Sequence, residues 1–213
     1  MKLRSVNVGQ PQDIDYKGKI ITTGIYKSPV TGRVMLRQHN LEGDRQADLT
    51  VHGGPDKAVY VYSYDHYPYW QRELGRDDLA YGEFGENFTV DGLTEDEVFI
   101  GDVFRIGGAL VEVTQPRAPC YKLAAKMNLP TFVKTFTQAQ RTGFYLAVLE
   151  EGEVGASDMI ERVKTGLEQM SVREIFHLVY TDKDNIVQAE RAIRIPALAP
   201  SWRDAIAKTI TED

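Results

Sequence analysis

The stretch "IGDVFRIGGALVEVTQPRAPCYKLA", Ile100–Ala124, holds two apolar runs that alternate with polar residues and are separated by Gly107 and Gly108. A period of two residues is typical of β-strands, and glycines between two such runs favour a turn. After the second run comes Pro116, and soon after it Cys120, the one cysteine of the 213-residue chain. The residues after it predict a helix. The stretch therefore predicts two strands that deliver a single thiol to the start of a helix.

The same strand pattern continues over the chain up to about residue 154. Many short strands with turn signals at this spacing predict a mainly β fold of the α+β class, a barrel or a closed sandwich, with short helices at residues 63–75 and 128–143. The predicted strands are Lys2–Val8, Lys19–Ile25, Arg33–Arg37, Ala58–Tyr62, Val98–Ile106, Ala109–Gln115 and Gly143–Leu149.

After Gly166 the pattern becomes helical. We therefore predict a β-barrel domain over residues 1–165 and a three-helix domain over residues 166–213. So small a helical unit needs to dock on the rest of the chain or on a second copy, which leaves a homodimer open. The helix signals are a capping box of Ser171 with Glu174, the run Ile186–Ile195 before Pro196, and a weaker box of Ser201 with Asp204.

The charge balance argues against a nucleic-acid polymer as partner. The chain has 25 Lys and Arg against 31 Asp and Glu, a formal net charge of -6, so its surface as a whole repels phosphate backbones. The helical tail is itself acidic, whereas a DNA-reading helix-turn-helix is basic. A small anionic ligand stays compatible with this composition.

The expected compartment is the cytoplasm. The start "MKLRSVNVGQP" lacks the apolar core of a signal peptide, and a single cysteine cannot form an internal disulfide. No apolar run approaches the roughly 18 to 20 residues that a membrane helix needs. We therefore expect no membrane segment.

The segment "HGGPDK" allows two interpretations. His52, Gly53, Gly54 and Lys57 place a flexible turn beside a cation. Backbone N–H groups of such a turn could approach an anion closely, with the lysine supplying charge for a phosphate. The same residues also suit a glycine-bearing hairpin with solvated charges, and the pattern matches no nucleotide-binding motif.

Two further features stay open at this level. Asn87 lies in the tight turn "GENFT", where its amide could satisfy backbone groups or contact the edge of a ring. The acidic run Glu95–Glu97 is typical of a solvated turn.

Cys120 also has two interpretations. A thiolate at a helix start, near Arg117 and Lys122, would be stabilised by the helix dipole and by charge, as a metal ligand or nucleophile is. Against this, cysteines outside disulfides are often buried and inert.

Four motifs, taken in their order and separation, resemble the MOSC domain family, named for the C-terminal domain of molybdenum-cofactor sulfurase. They resemble in particular its YiiM branch, bacterial proteins associated with resistance to 6-N-hydroxylaminopurine. The resemblance spans about residues 18–163 for the barrel and 168–211 for the helices. The motifs are "GDRQADLTVHGGPDKAVY", "GEFGENFTVDGL", "IGDVFRIGGALVEVTQPRAPCYKLA" and "RTGFYLAVLEEGEV".

The resemblance implies a molybdenum cofactor, molybdenum bound to molybdopterin, at a site that reduces N-hydroxylated bases, hydroxylamines and amidoximes. Cys120 would be the molybdenum ligand and the catalytic residue. The pterin and its phosphate would lie among His52, Gly53, Gly54, Lys57, Asn87, Arg117 and Arg141.

The electron supply implied by the resemblance is external. One cysteine excludes an iron–sulfur cluster, which needs about four ligands. No directly bound NAD is expected, so a separate flavin-containing reductase would donate the electrons. The alternative that the resemblance leaves open is a molybdopterin or sulfur carrier, which would hold a persulfide on Cys120 and reduce nothing.

Overall fold

A computed structural model describes residues 1–47 and 53–211. Two kinds of element alternate in these ranges, mostly short strands and, less often, short helices. The strands are β1 Lys2–Val8, β2 Gln12–Tyr16, β3 Lys19–Thr23, β4 Ser28–Pro29, β5 Arg33–Leu36, β6 Val59–Ser63, β7 Phe88–Asp91, β8 Val103–Ile106, β9 Ala109–Pro116, β10 Phe144–Glu150, β11 Gly152–Gly155 and β12 Ile160–Lys164. The helices are α1 Tyr67–Leu74, α2 Tyr121–Lys126, α3 Phe132–Ala139, α4 Val172–Tyr180, α5 Ile186–Ile193 and α6 Pro200–Thr211.

One large sheet dominates the structure. Its eight strands lie in the order β12-β8-β9-β10-β6-β7-β1-β4, and two-stranded sheets β11-β5 and β2-β3 accompany it. All neighbouring pairs are antiparallel except β6 and β7, which are parallel. The predicted α+β class, with short helices around a mostly β body and three helices at the C-terminal end, is confirmed.

The hairpin predicted around the two central glycines is present. Ile106 of β8 pairs with Ala109 of β9, so the connection is a two-residue turn. Gly107 there has φ +54°, and a Cβ on it would lie 2.3 Å from the side chain of Asp158, so only glycine fits. Val111 and other apolar side chains of β9 are buried between the sheet and the helices.

Within residues 1–47 and 53–211, the eight-stranded ladder does not close into the predicted barrel. The strand order has two ends, at β12 and at β4, so the ladder is an open series. Backbone hydrogen bonds of 2.9 Å nevertheless join Leu3 N to Asp158 O and Ile160 N to Met1 O. These bonds connect the two sides of the sheet, so the sheet is curled. The segment that leads into the edge strand β12 thereby lies against β1. Strand twist, which sequence periodicity does not report, decides between closure and an open curl.

The helices begin and end close to the predicted signals, with two corrections. The capping box is confirmed at α4, where the Ser171 side chain accepts from Glu174 N and the Glu174 side chain accepts from Ser171 N. The second box is wrong: α6 begins at Pro200, so Ser201 lies inside its first turn. Proline suits this position because it has no N–H to leave unbonded. The helix predicted for residues 128–143 is shorter, Phe132–Ala139.

Two hydrophobic cores meet at the large sheet. The first joins sheet residues to the C-terminal helices, with Phe104, Val113, Phe176 and Trp202 among its buried members. The second is aromatic and fills the space between β6, α1 and α3; it contains Tyr60, Tyr62, Tyr67, Trp70, Phe84, Phe132 and Phe136. Because the helical tail shares the first core, it docks on the sheet of its own chain.

No helix in the described part of the chain is both long enough and apolar enough to cross a membrane.

The α4 cap gives a test of this packing. We expect Ser171→Ala to lower the free energy of unfolding by about 1 kcal/mol, because it removes the acceptor for Glu174 N. Ser201→Ala is the matched control and should change stability by less than about 0.5 kcal/mol, since Ser201 caps nothing. Urea unfolding followed by circular dichroism measures both. Equal losses in the two variants would contradict the assignment of the cap.

Candidate functional site

Cys120 lies between β9 and α2, at the end of a four-residue loop. The strand still includes Pro116, which pairs with Phe144 of β10, and the helix begins at Tyr121. Cys120 is extended, with φ −128° and ψ 169°, and half-buried. Helix α2 has six residues, so its dipole is small, and charge stabilisation of a thiolate depends chiefly on nearby cations.

The cysteine opens on a cavity that is rich in positive charge. Among the described residues that line this cavity, Asp44 is the single carboxylate. A concave site with such an excess of cations attracts anions even though the whole chain is negative. The cationic side chains in its wall are Lys27, Arg45, Lys57, Arg117 and Lys122.

Arg117 is the cation most tightly held. Its side chain is buried and donates from Nη1 to Tyr60 Oη at 3.0 Å and to Phe84 O at 2.7 Å. The guanidinium carbon lies 4.4 Å from the centre of the Tyr60 ring, a cation–π contact. Burial disfavours the charge, but Tyr60, Tyr145 and Cys120 outweigh it and raise the pKa of Arg117. The positive charge beside Cys120 is therefore permanent.

Lys27 and Asp44 form a buried ion pair in the opposite wall. Their side chains are 8% and 1% exposed, and Lys27 Nζ donates to Asp44 Oδ1. Burial lowers the pKa of Lys27, and Asp44 opposes that change. Gly9 N also donates to Asp44 Oδ1 at 2.8 Å, so the carboxylate is fixed from two sides.

Asn87 completes this wall from the edge of β7. Its Oδ1 accepts from Tyr60 N at 3.1 Å, while Nδ2 donates to Asn7 O at 3.2 Å and to Asp44 Oδ2 at 2.9 Å. Of the two interpretations open from sequence, the amide satisfies backbone groups and also fixes Asp44. Asn87 thereby positions the cation that Asp44 holds.

The loop before Asn87 is organised by one buried carboxylate. Glu86 accepts from Tyr67 Oη at 2.5 Å, from Gly82 N at 2.9 Å and from Phe84 N at 3.0 Å. Burial, then the charge of Glu86, raises the pKa of Tyr67, so this phenol stays a donor. Fixing Phe84 in this way presents its carbonyl oxygen to Arg117.

A second buried network supports the same site from behind. Glu95 Oε2 lies 2.7 Å from His66 Nε2, and His66 Nδ1 lies 2.9 Å from Arg141 Nη1. A guanidinium only donates, so Nδ1 accepts, and the proton on Nε2 is donated to Glu95. Burial raises the pKa of Glu95, but the hydrogen bonds from His66 and from the N–H of Gly143 outweigh it and lower that pKa. The expectation of a solvated turn is wrong for Glu95, which is buried, while Asp96 and Glu97 are exposed.

The turn before β10 connects the two networks. Gly143 N donates to Glu95 Oε1 at 2.6 Å, and Gly143 O accepts from Arg117 N at 3.1 Å. Tyr60 Oη donates to Thr142 O at 2.7 Å. Gly143 has φ +69°, and a Cβ would lie 2.3 Å from Val61 O, so the close approach to β6 needs glycine. The turn holds both Arg117 and the phenol that Arg117 contacts.

The predicted site residues separate into three groups. Gly53, Lys57, Asn87, Arg117 and Cys120 come together around the one cavity. Gly54 and Arg141 are not among its described lining residues; the guanidinium of Arg141 lies 4.6 Å from the Tyr69 ring centre and contacts His66. His52 lies outside the described residues.

Sequence reasoning missed several residues of this cavity. Lys27 lies in "YKSP", where a lysine is an ordinary surface residue. Lys122, the second residue of α2, was expected near Cys120 but was not included among the predicted cofactor-binding residues. Tyr145 is an alternating strand position whose ring lies 5.3 Å from Tyr60. The one available signal was Asp44 in the "GDRQAD" motif, since a buried carboxylate requires a partner.

Two family models match the chain. A MOSC domain model matches residues 48–161, and a model described as the YiiM-like 3-alpha helix domain matches residues 170–210. The first range includes the loop with Cys120 and the second includes α4, α5 and most of α6.

Relatives and solved structures agree with these matches. An uncharacterized protein YflK of Bacillus subtilis is 48% identical over 96% of this chain and 92% of its own, and protein YiiM of Escherichia coli is 35% identical over 93% and 91%. The crystal structure of YiiM from Geobacillus stearothermophilus superposes with a TM-score of 0.83 at 36% identity, covering 98% of both chains. A protein named reductase from Gibberella moniliformis is 32% identical over 76% of this chain, which is 29% of that longer protein.

The Glu95 network predicts a pH dependence of stability. The folded pKa of Glu95 is below its ordinary value of 4.5, so its contribution is complete above pH 4.5 and is lost as pH falls through the folded pKa. We expect Glu95→Gln to cost about 3 kcal/mol at pH 7, because an amide cannot balance Arg141 and its NH₂ must oppose one of two donors, His66 Nε2–H or Gly143 N–H.

The measurement is urea unfolding at pH 7 and at pH 3.5. The difference in the free energy of unfolding between Glu95→Gln and the unmodified chain should be smaller at pH 3.5 than at pH 7. Glu97→Gln is the control, since Glu97 is exposed, and it should show less than about 0.5 kcal/mol at either pH. A gap for Glu95→Gln that is the same at both pH values would contradict the ionised network.

Proposed function

Because the chain belongs to the MOSC domain family and carries the YiiM-like three-helix domain, we propose that it is a molybdenum-cofactor-dependent reductase of N-hydroxylated compounds. The observation that carries the proposal is the placement of the single thiol in the wall of a cavity lined by five cationic side chains. A thiol suits a soft metal and a cationic cavity suits a phosphate, and one bound group that carries both is a metal-bound pterin.

The described residues fit such a group by the chemistry of their donors. Cys120 would bind the metal as a thiolate, with Arg117 as the neighbouring cation. Lys57, Lys122 and Arg45 line the same cavity and would hold the phosphate. When bound, molybdenum would supply a two-electron couple for cleavage of an N–O bond.

The overall reaction balances with external electrons. An N-hydroxylated amine, two electrons and two protons yield the parent amine and water. A separate flavin-containing reductase is proposed as the electron donor.

The chain itself contributes a fixed electrostatic environment. Burial disfavours the charge of Arg117, but Tyr60, Tyr145 and Cys120 outweigh burial and raise its pKa, so this residue keeps its charge at every working pH and does not transfer a proton. Tyr60 likewise stays neutral, because burial raises its pKa and the counteracting charge of Arg117 is smaller. Arg117 and Tyr60 would therefore orient and hold the bound group. The protons that the reaction consumes would come from other groups or from water.

The reductase name of one relative supports a redox function for this branch of the family. A carrier that holds a persulfide on Cys120 would use the same thiol as the proposed reductase. The two functions are distinguished by the modification of Cys120 and by the reduction of substrate. A carrier would show a sulfur adduct on Cys120 and no reduction of 6-N-hydroxylaminopurine in the presence of a flavin reductase and NADH.

The thiol is tested by Cys120→Ser in protein made in cells that synthesise the cofactor. We expect molybdenum and pterin content to fall to background and reductase activity to fall by more than the roughly 10- to 100-fold typical for loss of an outer-shell partner. Metal analysis by mass spectrometry and pterin fluorescence after oxidation measure the content. Retained molybdenum with full activity in this variant would refute the proposal.

The anion-binding role is tested by Arg117→Met. Pterin content should fall by at least about tenfold while thermal unfolding still shows a single transition. Arg105→Met is the matched control: Arg105 is exposed on β8, paired with Glu150 at 3.3 Å, and its loss should leave pterin content unchanged. Equal pterin content in both variants would remove Arg117 from the binding site.

A further inference from the structure

Cys120 borders a second cavity that the proposed cofactor role does not use. This cavity measures about 340 Å³, in the range of small-molecule sites. It lies between the loop after β9 and the C-terminal helices, where Tyr180 of α4 and Trp202 of α6 form the far wall. Lys57, Cys120 and Tyr145 belong to the walls of both cavities, so the two spaces meet at the thiol.

The wall of the second cavity differs in character from that of the first. Lys57 is the single charged side chain among the described residues that line it, and the remainder is mainly apolar or aromatic. Tyr180 stacks on Phe176 with ring centres 4.3 Å apart, and its ring centre lies 6.3 Å from that of Trp202. A mainly apolar wall with flat aromatic faces fits a planar ring system better than an anion.

One polar atom in this wall has an unused bonding capacity. Gln115, at the end of β9, is 3% exposed and lines the cavity. Its Nε2 donates to Pro116 O at 3.4 Å, which identifies the other terminal atom as oxygen. That Oε1 is buried and has no hydrogen-bond partner among the described residues. A buried acceptor without a donor is destabilising, so a ligand N–H at this point would be favoured.

We propose that the second cavity binds the organic part of the substrate, as a planar nitrogen heterocycle that carries the hydroxylamino group. The ring packs against the wall formed by Tyr180 and Trp202, and a ring or exocyclic N–H donates to Gln115 Oε1. The N–O bond then points toward Cys120, where the two cavities meet. This inference rests on the proposed function and adds that the three-helix domain selects the substrate.

Gln115→Leu is the decisive variant, because it removes the acceptor at almost constant volume. If Gln115 Oε1 accepts a hydrogen bond only from a bound ligand, the variant without ligand is as stable as the unmodified chain or more stable, since an unsatisfied acceptor is lost. A purely structural role predicts the opposite sign. Gln12→Leu, on the exposed face of β2, is the matched control.

Binding is measured without activity, by calorimetric titration of the apoprotein with adenine, the parent amine of 6-N-hydroxylaminopurine. We expect Gln115→Leu to weaken adenine binding about tenfold and Tyr180→Ala, which shortens the aromatic wall, to weaken it by at least as much. In the loaded enzyme, kcat/KM for 6-N-hydroxylaminopurine should fall by a similar factor, while that for hydroxylamine itself stays within about twofold.

The outcomes separate this inference from the proposed function. The substrate pocket would be overturned if Gln115→Leu left adenine binding unchanged or lowered kcat/KM equally for both substrates. It would also be overturned if this variant lost pterin content, because the cofactor would then occupy the second cavity. Absence of reduction of either substrate by the loaded unmodified enzyme would overturn the proposed function and leave the binding result to stand by itself.

Discussion

The arrangement of the site depends on the burial of one positive charge. Arg117 lies inside an aromatic core, where an unpaired guanidinium would be very costly, and the surrounding structure compensates through Tyr60, the carbonyl of Phe84 and two ring faces. Each of these groups needs support in turn. Glu86 holds the loop that carries Phe84, and the turn at Gly143 holds Tyr60. The geometry around Cys120 is therefore set by contacts several residues away from it.

The chain as a whole carries a negative net charge, whereas the cavity at Cys120 has an excess of positive charge. Its net charge is −6, yet the cavity at Cys120 has five cations in its described wall and one carboxylate. That carboxylate, Asp44, does not face the cavity as an unsatisfied charge, because Lys27, Asn87 and Gly9 use its oxygens. An acidic surface keeps such a chain away from polyanions, while the local field still gathers a small anion.

Structural features that depend on neighbouring residues could be predicted from the sequence, whereas features that depend on distant residues could not. The hairpin through Gly107, the cap at Ser171 and the gathering of Lys57, Arg117 and Cys120 follow from neighbouring residues or from family resemblance. Lys27 and Glu95 were missed or misjudged because their partners lie 17 and 29 residues away, at Asp44 and His66. Whether the sheet closes depends on twist summed over eight strands, which no short stretch encodes.

The hydrophobic core crosses the boundary that the two family models draw. One model ends at residue 161 and the other begins at residue 170, but Val113, Phe176 and Trp202 belong to one buried cluster. The boundary between the two models is therefore not a boundary of packing. Because removing the helices would expose the sheet side of this cluster, we expect the helices and the sheet to fold as one cooperative unit. Evolution could vary their inner surface only within the limits that this shared core sets.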